Sequence, residues 1–559
     1  MTSNHQIIIP MSGFGERFRE AGFVVPKPLI EVDGRPIISY VIDLFPGEQD
    51  FIFICNQEHL DNPVYRMREI ILKYCPTGRL VGIPPHRLGP IHAVCQIEEL
   101  LDLTRPTIVN YCDFTCYWDW SHFKKLVSQS FCDGAIPAYK GFHPHSLGAT
   151  NYAYIRENNG CVVDIQEKQP FTENRMEEYA SSGTYYFANA RIMVEAFRRT
   201  IDENLNVGGE FYVSLAYKTL LQQGKKILVY PLRHFMQWGT PGDLAEYCSW
   251  SQIFKKLLSN PVSNNLTFED PRGSLVIPMA GLGKRFVDEG YLLPKPLIPV
   301  SGNPMAIQAA EDLPKSKYQS FILRKDMHGL ADIETSIKNH FPNACITIIS
   351  EVTEGQACSA LIGLEALDQL GVCDVSPITF GACDNGALFN FAKYQELINN
   401  PEVDIIVWGA RGHINAVRNA QMFGWIDSKN GLIKSISVKS PLNSPAIDPV
   451  VIGTFTFKNS NFAKQSIKAL IARDGRINGE FYLDSCINDA IALGLRCHLF
   501  EVDSFISWGT PNDLKTYEYW QSCFHKWTSH PYRLELDSRV KASNIHSLKR
   551  SFDVNDYKT

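Results

Sequence analysis

A chain of 559 residues exceeds what one hydrophobic core organises and implies roughly two to four domains. With 45% apolar and 20% charged residues it has the balance of an ordinary globular protein rather than a disordered or fibrous one. A net charge of −6 leaves no broad cationic footprint for nucleic acid or an anionic membrane, so any phosphate it binds must be held locally.

The opening MTSNHQIIIPM has no basic segment followed by a long apolar core, and no apolar run approaches the ~20 residues of a membrane span. The expectation is a cytoplasmic protein with no membrane or nucleic-acid partner; its oligomeric state is left open. Fifteen cysteines, an odd number scattered through strand-like and helical stretches, read as reduced thiols rather than disulfides. Cys112 and Cys116 lack a second Cys/His pair at zinc-finger spacing.

Along the first half, short apolar runs (IIIPM, FIFIC, RLVGI, PTIVN, GAIPAY) alternate with helix-length amphipathic stretches. This predicts an α/β domain with a mainly parallel central sheet flanked by helices. In such sheets ligands collect at the carboxyl ends of strands. The glycine loop after the first run and the Asp113 loop after PTIVN both fall at that edge.

The second half repeats the first. IIPMSGFGERFREAGFVVPKPLI (8–30) returns as VIPMAGLGKRFVDEGYLLPKPLI (276–298), so Gly13, Arg17 and Lys27 recur as Gly281, Arg285 and Lys295. VNYCDF returns as FGACDN, pairing Asp113 with Asp384. SSGTYYF returns as VIGTFTF, VGGEFYV as INGEFYL, and FMQWGTPGDL as FISWGTPNDL. The expected layout is therefore a first domain at 1–258, a linker at 259–273 rich in Asn, Ser and Pro, a second domain at 274–525, and a C-terminal tail at 526–559, read as a surface helix fading into a loose end.

A strand running into Gly-x-Gly-x-Arg makes a turn whose backbone approaches a phosphate closely, with N–H groups and a guanidinium facing the anion. The dinucleotide fingerprint would need a third glycine where Phe18 and Phe286 stand, and a P-loop would need Gly-Lys-Ser/Thr, which neither copy has. In both copies Pro-Lys-Pro-Leu-Ile follows the arginine at the same spacing.

Gly-x-Gly-x-Arg followed by Pro-Lys resembles the opening signature of the sugar-phosphate nucleotidyltransferases, or nucleotide-sugar pyrophosphorylases, and the resemblance covers both halves. It implies two tandem glycosyltransferase-A-like, Rossmann-like domains. It also implies a Mg²⁺-dependent reaction in which a phosphate oxygen of a phosphorylated sugar or related metabolite attacks the α-phosphorus of a nucleoside triphosphate and releases pyrophosphate. The product would be a nucleotide-activated precursor, for a surface polysaccharide by resemblance alone.

On the same resemblance Arg17 and Arg285 would hold the β- and γ-phosphates, Lys27 and Lys295 would stabilise charge at the α-phosphate, and Asp113 and Asp384 would bind the metal. Nucleotide contacts would come from Met11, Ser12, Gly13, Gly15 and Gly89, and from Met279, Ala280, Gly281, Gly283, Gly355 and Gln356. Lys168 would take the substrate's phosphate and Glu167 a sugar hydroxyl, with Gly183 and Glu210 lining the pocket; Lys439, Gly453 and Glu480 are their second-copy counterparts. His143 and His145, in a loop beside the expected pocket, would contact an acidic or polyhydroxylated substrate.

Several positions depart from the family pattern. Gln237 and Ser507 stand where a second metal aspartate is usual, and Asp243 and Asp513 nearby read as helix caps. Pro90 faces Gln356 across the repeat, and Val438 replaces Glu167. One alternative is an active half with a degenerate regulatory or scaffolding half. Another is a glycosyltransferase consuming nucleotide sugars, although neither YCDF nor ACDN carries the Asp-x-Asp such enzymes usually place at the metal.

Overall fold

The computed structural model describes residues 5–259, 273–372 and 376–553. Of the expected linker, 260–272 lies outside the described residues. Two compact units form: the described residues of 5–252 with Ser522–His530, and those of 253–521 with Pro531–Phe552.

The first unit is built on a ten-stranded sheet. Its order is Tyr179–Ser181, Ala153–Asn158, Cys161–Glu167, Ile227–Leu232, Gly134–Tyr139, Thr184–Phe187, Thr107–Asn110, Gln6–Met11, Phe51–Asn56, Arg79–Ile83. Gln6–Met11 runs parallel to both neighbours, and Phe51–Asn56 and Gly134–Tyr139 are buried along their whole length. Strands covered on both faces read as continuous apolar runs, which is why FIFIC and GAIPAY lack alternation. Thr184–Phe187 enters antiparallel between Thr107–Asn110 and Gly134–Tyr139, and further antiparallel strands extend the sheet. The α/β class expected from the sequence holds, with a parallel core inside a mixed sheet.

The second unit has the corresponding order in nine strands, from Cys345–Ile349 through Ser274–Pro278 to Gly424–Lys429. It keeps Val450–Phe457 as one strand where the first unit breaks into two around Gly183. Equivalent helices start on equivalent caps: Asn189 accepts from the Ile192 N–H, and Asn459 from the Phe462 N–H. The repeat in the sequence is a repeat in structure.

The expected surface helix forms as Ala542–Asp553, and the described residues before it are packed rather than loose; 554–559 lie outside the described residues. Phe524 and Trp527 sit in the first unit against Tyr247 and Tyr40, with ring centroids 5.7 and 5.2 Å apart. In the second unit Tyr532 and Leu534 are fully buried, and Arg539 bonds Asp312 at 3.3 Å and the Tyr517 hydroxyl at 3.0 Å. The segment reads as polar because its charges are paired inside the fold, which is what allows a charge to be buried at all. No described helix is long and apolar enough to cross a membrane.

Candidate active site

At the carboxyl end of Gln6–Met11 the chain turns through Ser12–Gly15 into the short helix Glu16–Glu20. Gly15 starts that helix at φ +64°, and Gly283 starts Lys284–Asp288 at φ +61°, a left-handed conformation that side chains resist. Gly13 and Gly281 have no atom within 4 Å of where a Cβ would stand, so their backbone is open to a ligand. Lys27 and Lys295 open one-turn helices between two prolines, which fix the local backbone.

Lys27 Nζ donates to Asp113 Oδ2 at 2.6 Å, and Lys295 Nζ to Asp384 Oδ2 at 2.5 Å. Each aspartate loop is anchored by its backbone: the Trp238 N–H donates to the Asp113 carbonyl at 2.9 Å and the Trp508 N–H to the Asp384 carbonyl at 2.8 Å. Burial works most strongly against the Lys295 charge, but the facing Asp384 carboxylate and the neighbouring Cys383 together outweigh it and hold the ammonium above the usual lysine range. Arg17 and Arg285 are exposed and carry no ion pair among the described residues.

Arg17, Lys27 and Asp113 border a cleft of ≈ 690 Å³ in the first unit. It collects Met11, Ser12, Gly13, Gly15, Arg17, Lys27, Gly89, Asp113, Glu167, Lys168, Gly183 and Glu210 on one wall-to-wall surface. Gly89 is there because nothing larger fits: at φ +86° its Cβ would lie 2.7 Å from the Phe211 nitrogen. Gly355 meets Phe481 in the same way, at 2.4 Å. The two segments are locked by Phe211 N–H to Leu88 carbonyl at 2.9 Å, and Phe481 N–H to Glu354 carbonyl at 2.9 Å. This ties the glycine of one loop to the Glu210 or Glu480 segment. Gln356, half-buried, and Pro90 each open the helix that follows.

At the other end, Lys168 and Lys439 both adopt φ +58°, a rare backbone conformation for a lysine. Each lies over a tyrosine: Lys168 Nζ donates to the Tyr212 hydroxyl at 2.5 Å, and Lys439 Nζ to the Tyr482 hydroxyl at 2.6 Å. Strain kept identically in two copies marks a constraint on the side chain. Ser214 Oγ donates to Glu167 Oε2 at 2.5 Å, and burial pushes the Glu167 carboxyl up to about 7. Gly183 and Gly453, at φ +93° and +78°, have Tyr111 and Ala382 within 3.4 Å of a built Cβ.

His143 and His145 do not reach this cleft. They are 1% and 8% exposed and pack with Tyr139, Tyr152 and Phe235, His145 Nε2 lying 2.9 Å from the Tyr139 hydroxyl. Burial drives His143 down to about 4, so it is neutral near pH 7 and offers no charge to an acidic substrate. Their loop is fastened rather than free, with Arg175 donating to the Ser146 carbonyl at 2.5 Å.

Gln237 lines the cleft beside Asp113: both would crowd a Cβ at Gly239. Ser507 lies across from Asn385 in a two-stranded ribbon and donates to Asp513 at 3.2 Å. Asp243 and Asp513 exchange bonds with Thr240 and Thr510 at the starts of their helices, as capping residues do. Among the described residues no three His, Cys, Asp or Glu side chains converge as a metal cage. One carboxylate with neutral oxygens still suits Mg²⁺, which takes one or two carboxylates and completes its shell with water and substrate phosphate. Tyr212, Tyr482, Ser214 and Asp484 are not among the expected site residues, although GEFYV and GEFYL display the tyrosines in both copies.

Residues 6–242 match the family model described as nucleotidyl transferase. The bifunctional protein GlmU of Bacillus licheniformis is 25% identical over 285 residues, covering 50% of this chain and 58% of that one. GlmU of Enterococcus faecalis is 24% identical over 294 residues, covering 52% and 58%. The chain thus spans little more than half the length of these relatives. Among solved structures, a nucleoside-diphosphate-sugar pyrophosphorylase from Vibrio cholerae aligns with 44% of this chain and 99% of its own at 20% identity and TM-score 0.36. The inositol-1-phosphate CTP transferase of T. maritima aligns with 45% and 96% at 13% identity and TM-score 0.35.

Proposed function

We propose that this chain, whose residues 6–242 match the nucleotidyl transferase family model, joins a nucleoside triphosphate to a phosphorylated sugar or related metabolite and releases pyrophosphate. The observation that carries this reading is the Lys27–Asp113 pair, set between the open glycine loop and the Glu167–Lys168 end of one cleft and repeated as Lys295–Asp384.

The chemistry follows from charge. A phosphate oxygen of the second substrate forms a bond to the α-phosphorus while the bond to the β-phosphate oxygen breaks, and the electron pair leaves with pyrophosphate. Such transfers are driven by positioning and by neutralising anions. Arg17, exposed and without an ion pair among the described residues, takes the β- and γ-phosphates. Lys27 follows the charge that builds on the α-phosphate, exchanging Asp113 for phosphate oxygens. Lys168 holds the phosphate of the nucleophile, and Glu167 accepts a hydroxyl hydrogen from it. Asp113, with the Gln237 amide beside it, would hold Mg²⁺, and Asp384 with Ser507 would do so in the second unit; bound there, the ion supplies positive charge to the phosphate oxygens.

Both units work on this reading, since both keep the lysine–aspartate pair and the strained lysine over its tyrosine. We assign the reaction to the cytoplasm, where triphosphates are made, and the product to the activated precursors of a surface polysaccharide. The test is a screen of the purified chain against the four common nucleoside triphosphates and a panel of phosphorylated sugars, reading out pyrophosphate. Glycosyl transfer without pyrophosphate would overturn it in favour of an enzyme that consumes nucleotide sugars.

A further inference from the structure

The two units differ at three positions that meet in space. In the first, Glu167 ends the strand Cys161–Glu167, sits opposite Ala153 in the neighbouring strand, and accepts from Ser214. In the second, Val438 takes the place of Glu167, Gly424 that of Ala153, and Asp484 that of Ser214. Val438 packs against the apolar core of its unit. A carboxylate has been lost from the strand and another has been gained on the facing helix.

The geometry shows that these changes belong together. Asp484 lies in the first turn of Leu483–Ala492, two residues after Tyr482, the partner of Lys439. Its Oδ2 would be 2.4 Å from a Cβ built on Gly424, whose backbone conformation does not itself require glycine. An alanine at 424, as at Ala153, would therefore push the carboxylate out of this position. Ala153 lines the cleft of the first unit, so Gly424 marks the corresponding wall of the second. Burial raises the Asp484 carboxyl to about 6, while the Lys439 charge and the start of the helix act in the opposite direction and favour the anion.

We infer that Asp484 is the hydroxyl-accepting carboxylate of the second unit, supplying from the helix side what Glu167 supplies from the strand side. This rests on the reading that Lys439 binds the phosphate of a polyhydroxylated substrate. The carboxylate approaches from the opposite wall and on a shorter side chain. The second unit therefore takes a polyol or sugar phosphate whose hydroxyl lies at a different position relative to its phosphate. The halves are two sites of different specificity, and Val438 is no mark of decay.

The experiment uses the full chain carrying Lys168→Ala, which removes the phosphate anchor of the first unit. Binding of glucose 1-phosphate, glycerol 3-phosphate and inorganic phosphate is followed by calorimetry. Asp484→Asn is expected to weaken the tighter organic phosphate about ten-fold or more, the loss of a charge-assisted hydrogen bond, while inorganic phosphate changes less than about two-fold. Gly424→Ala/Val438→Glu/Asp484→Ser, which installs the first unit's set, is expected to bind organic phosphates again with the preference of the first unit. That variant also decides the matter should Asp484→Asn fail to fold. The inference is overturned if Asp484→Asn binds the organic phosphate as tightly as its parent while Lys439→Ala loses it, a result that leaves the phosphate-binding role of Lys439 standing. If Lys439→Ala loses nothing, or no organic phosphate binds, the sugar-phosphate reading of the second unit falls and the inference with it.

Discussion

Lys27 Nζ and Asp113 Oδ2 lie 2.6 Å apart although 86 residues separate them in the chain, and Lys295 and Asp384 repeat the contact across 89. In the free protein each cation neutralises the anion that would bind the metal, so neither charge stands alone in the cleft. Substrate phosphates would replace the aspartate as partner of the lysine.

Replacing Lys27 or Lys295 by Ala should therefore cost about 100-fold or more in turnover of the affected unit, in the range seen when a charge-stabilising group is removed. The two variants should lose different nucleotide and phosphate-substrate pairs. Pyrophosphate release by each single variant across the substrate panel checks this; identical partial losses for every pair would mean equivalent sites.

Metal dependence should follow the aspartates. Chelation with EDTA is expected to stop pyrophosphate release and added MgCl₂ to restore it, while Asp113→Ala/Asp384→Ala should stay inactive at any Mg²⁺ concentration. Normal turnover of the double variant would remove both residues from the metal role.

Strain at the lysines gives a stability prediction opposite in sign to the activity prediction. At φ +58° glycine avoids a cost of order 1 kcal/mol that a side chain incurs. Lys168→Gly and Lys439→Gly should therefore unfold at the wild-type temperature or above it, yet weaken binding of the phosphorylated substrate. Thermal denaturation beside KM measurements would separate the two effects.

Glu167 yields a pH dependence. Burial raises its folded-state carboxyl to about 7 from an ordinary value of 4.5. Between those values the folded state holds a proton that the unfolded chain has released. Stability from this group is thus full below pH 4.5, falls as pH rises, and is lost above about 7. Hydroxyl acceptance needs the ionised form, so substrate affinity in the first unit should climb through the same upper range. Glu167→Gln should flatten both trends relative to wild type; unchanged slopes would assign them to other groups.

Gly89→Ala and Gly355→Ala should each destabilise by about 2 kcal/mol or more, since a methyl group would meet the Phe211 or Phe481 backbone while the residue keeps a positive φ. Urea unfolding would show it.

A fragment of residues 1–258, the proposed first domain, would lack Phe524 and Trp527 and leave Tyr247 and Tyr40 uncovered. It should melt below the temperature at which the first unit melts in the whole chain, and adding residues 511–559 in trans should recover part of the difference.

The sequence alone determined what depends on local pattern. The tandem repeat, the alternation of apolar runs and helices, the glycine loop and the Pro-Lys turn are set by neighbours a few residues away. Their side-chain period and backbone preference survive in one dimension. The motif resemblance also marked the residues that meet in the first cleft, from Gly13 to Glu210, and most of them recur at their counterparts in the other copy, Glu167 being an exception. Only the tertiary structure decided which way side chains point and what covers them. His143 and His145 look like an exposed polar pair until Tyr139 and Phe235 close over them. Arg539 looks like tail until Asp312 pairs with it in the interior. Val438 looks like a missing carboxylate until the helix bearing Asp484 packs over Gly424. In each case the partner lies far along the chain, and burial, pairing and direction are properties of the packed neighbourhood that no stretch of sequence carries by itself.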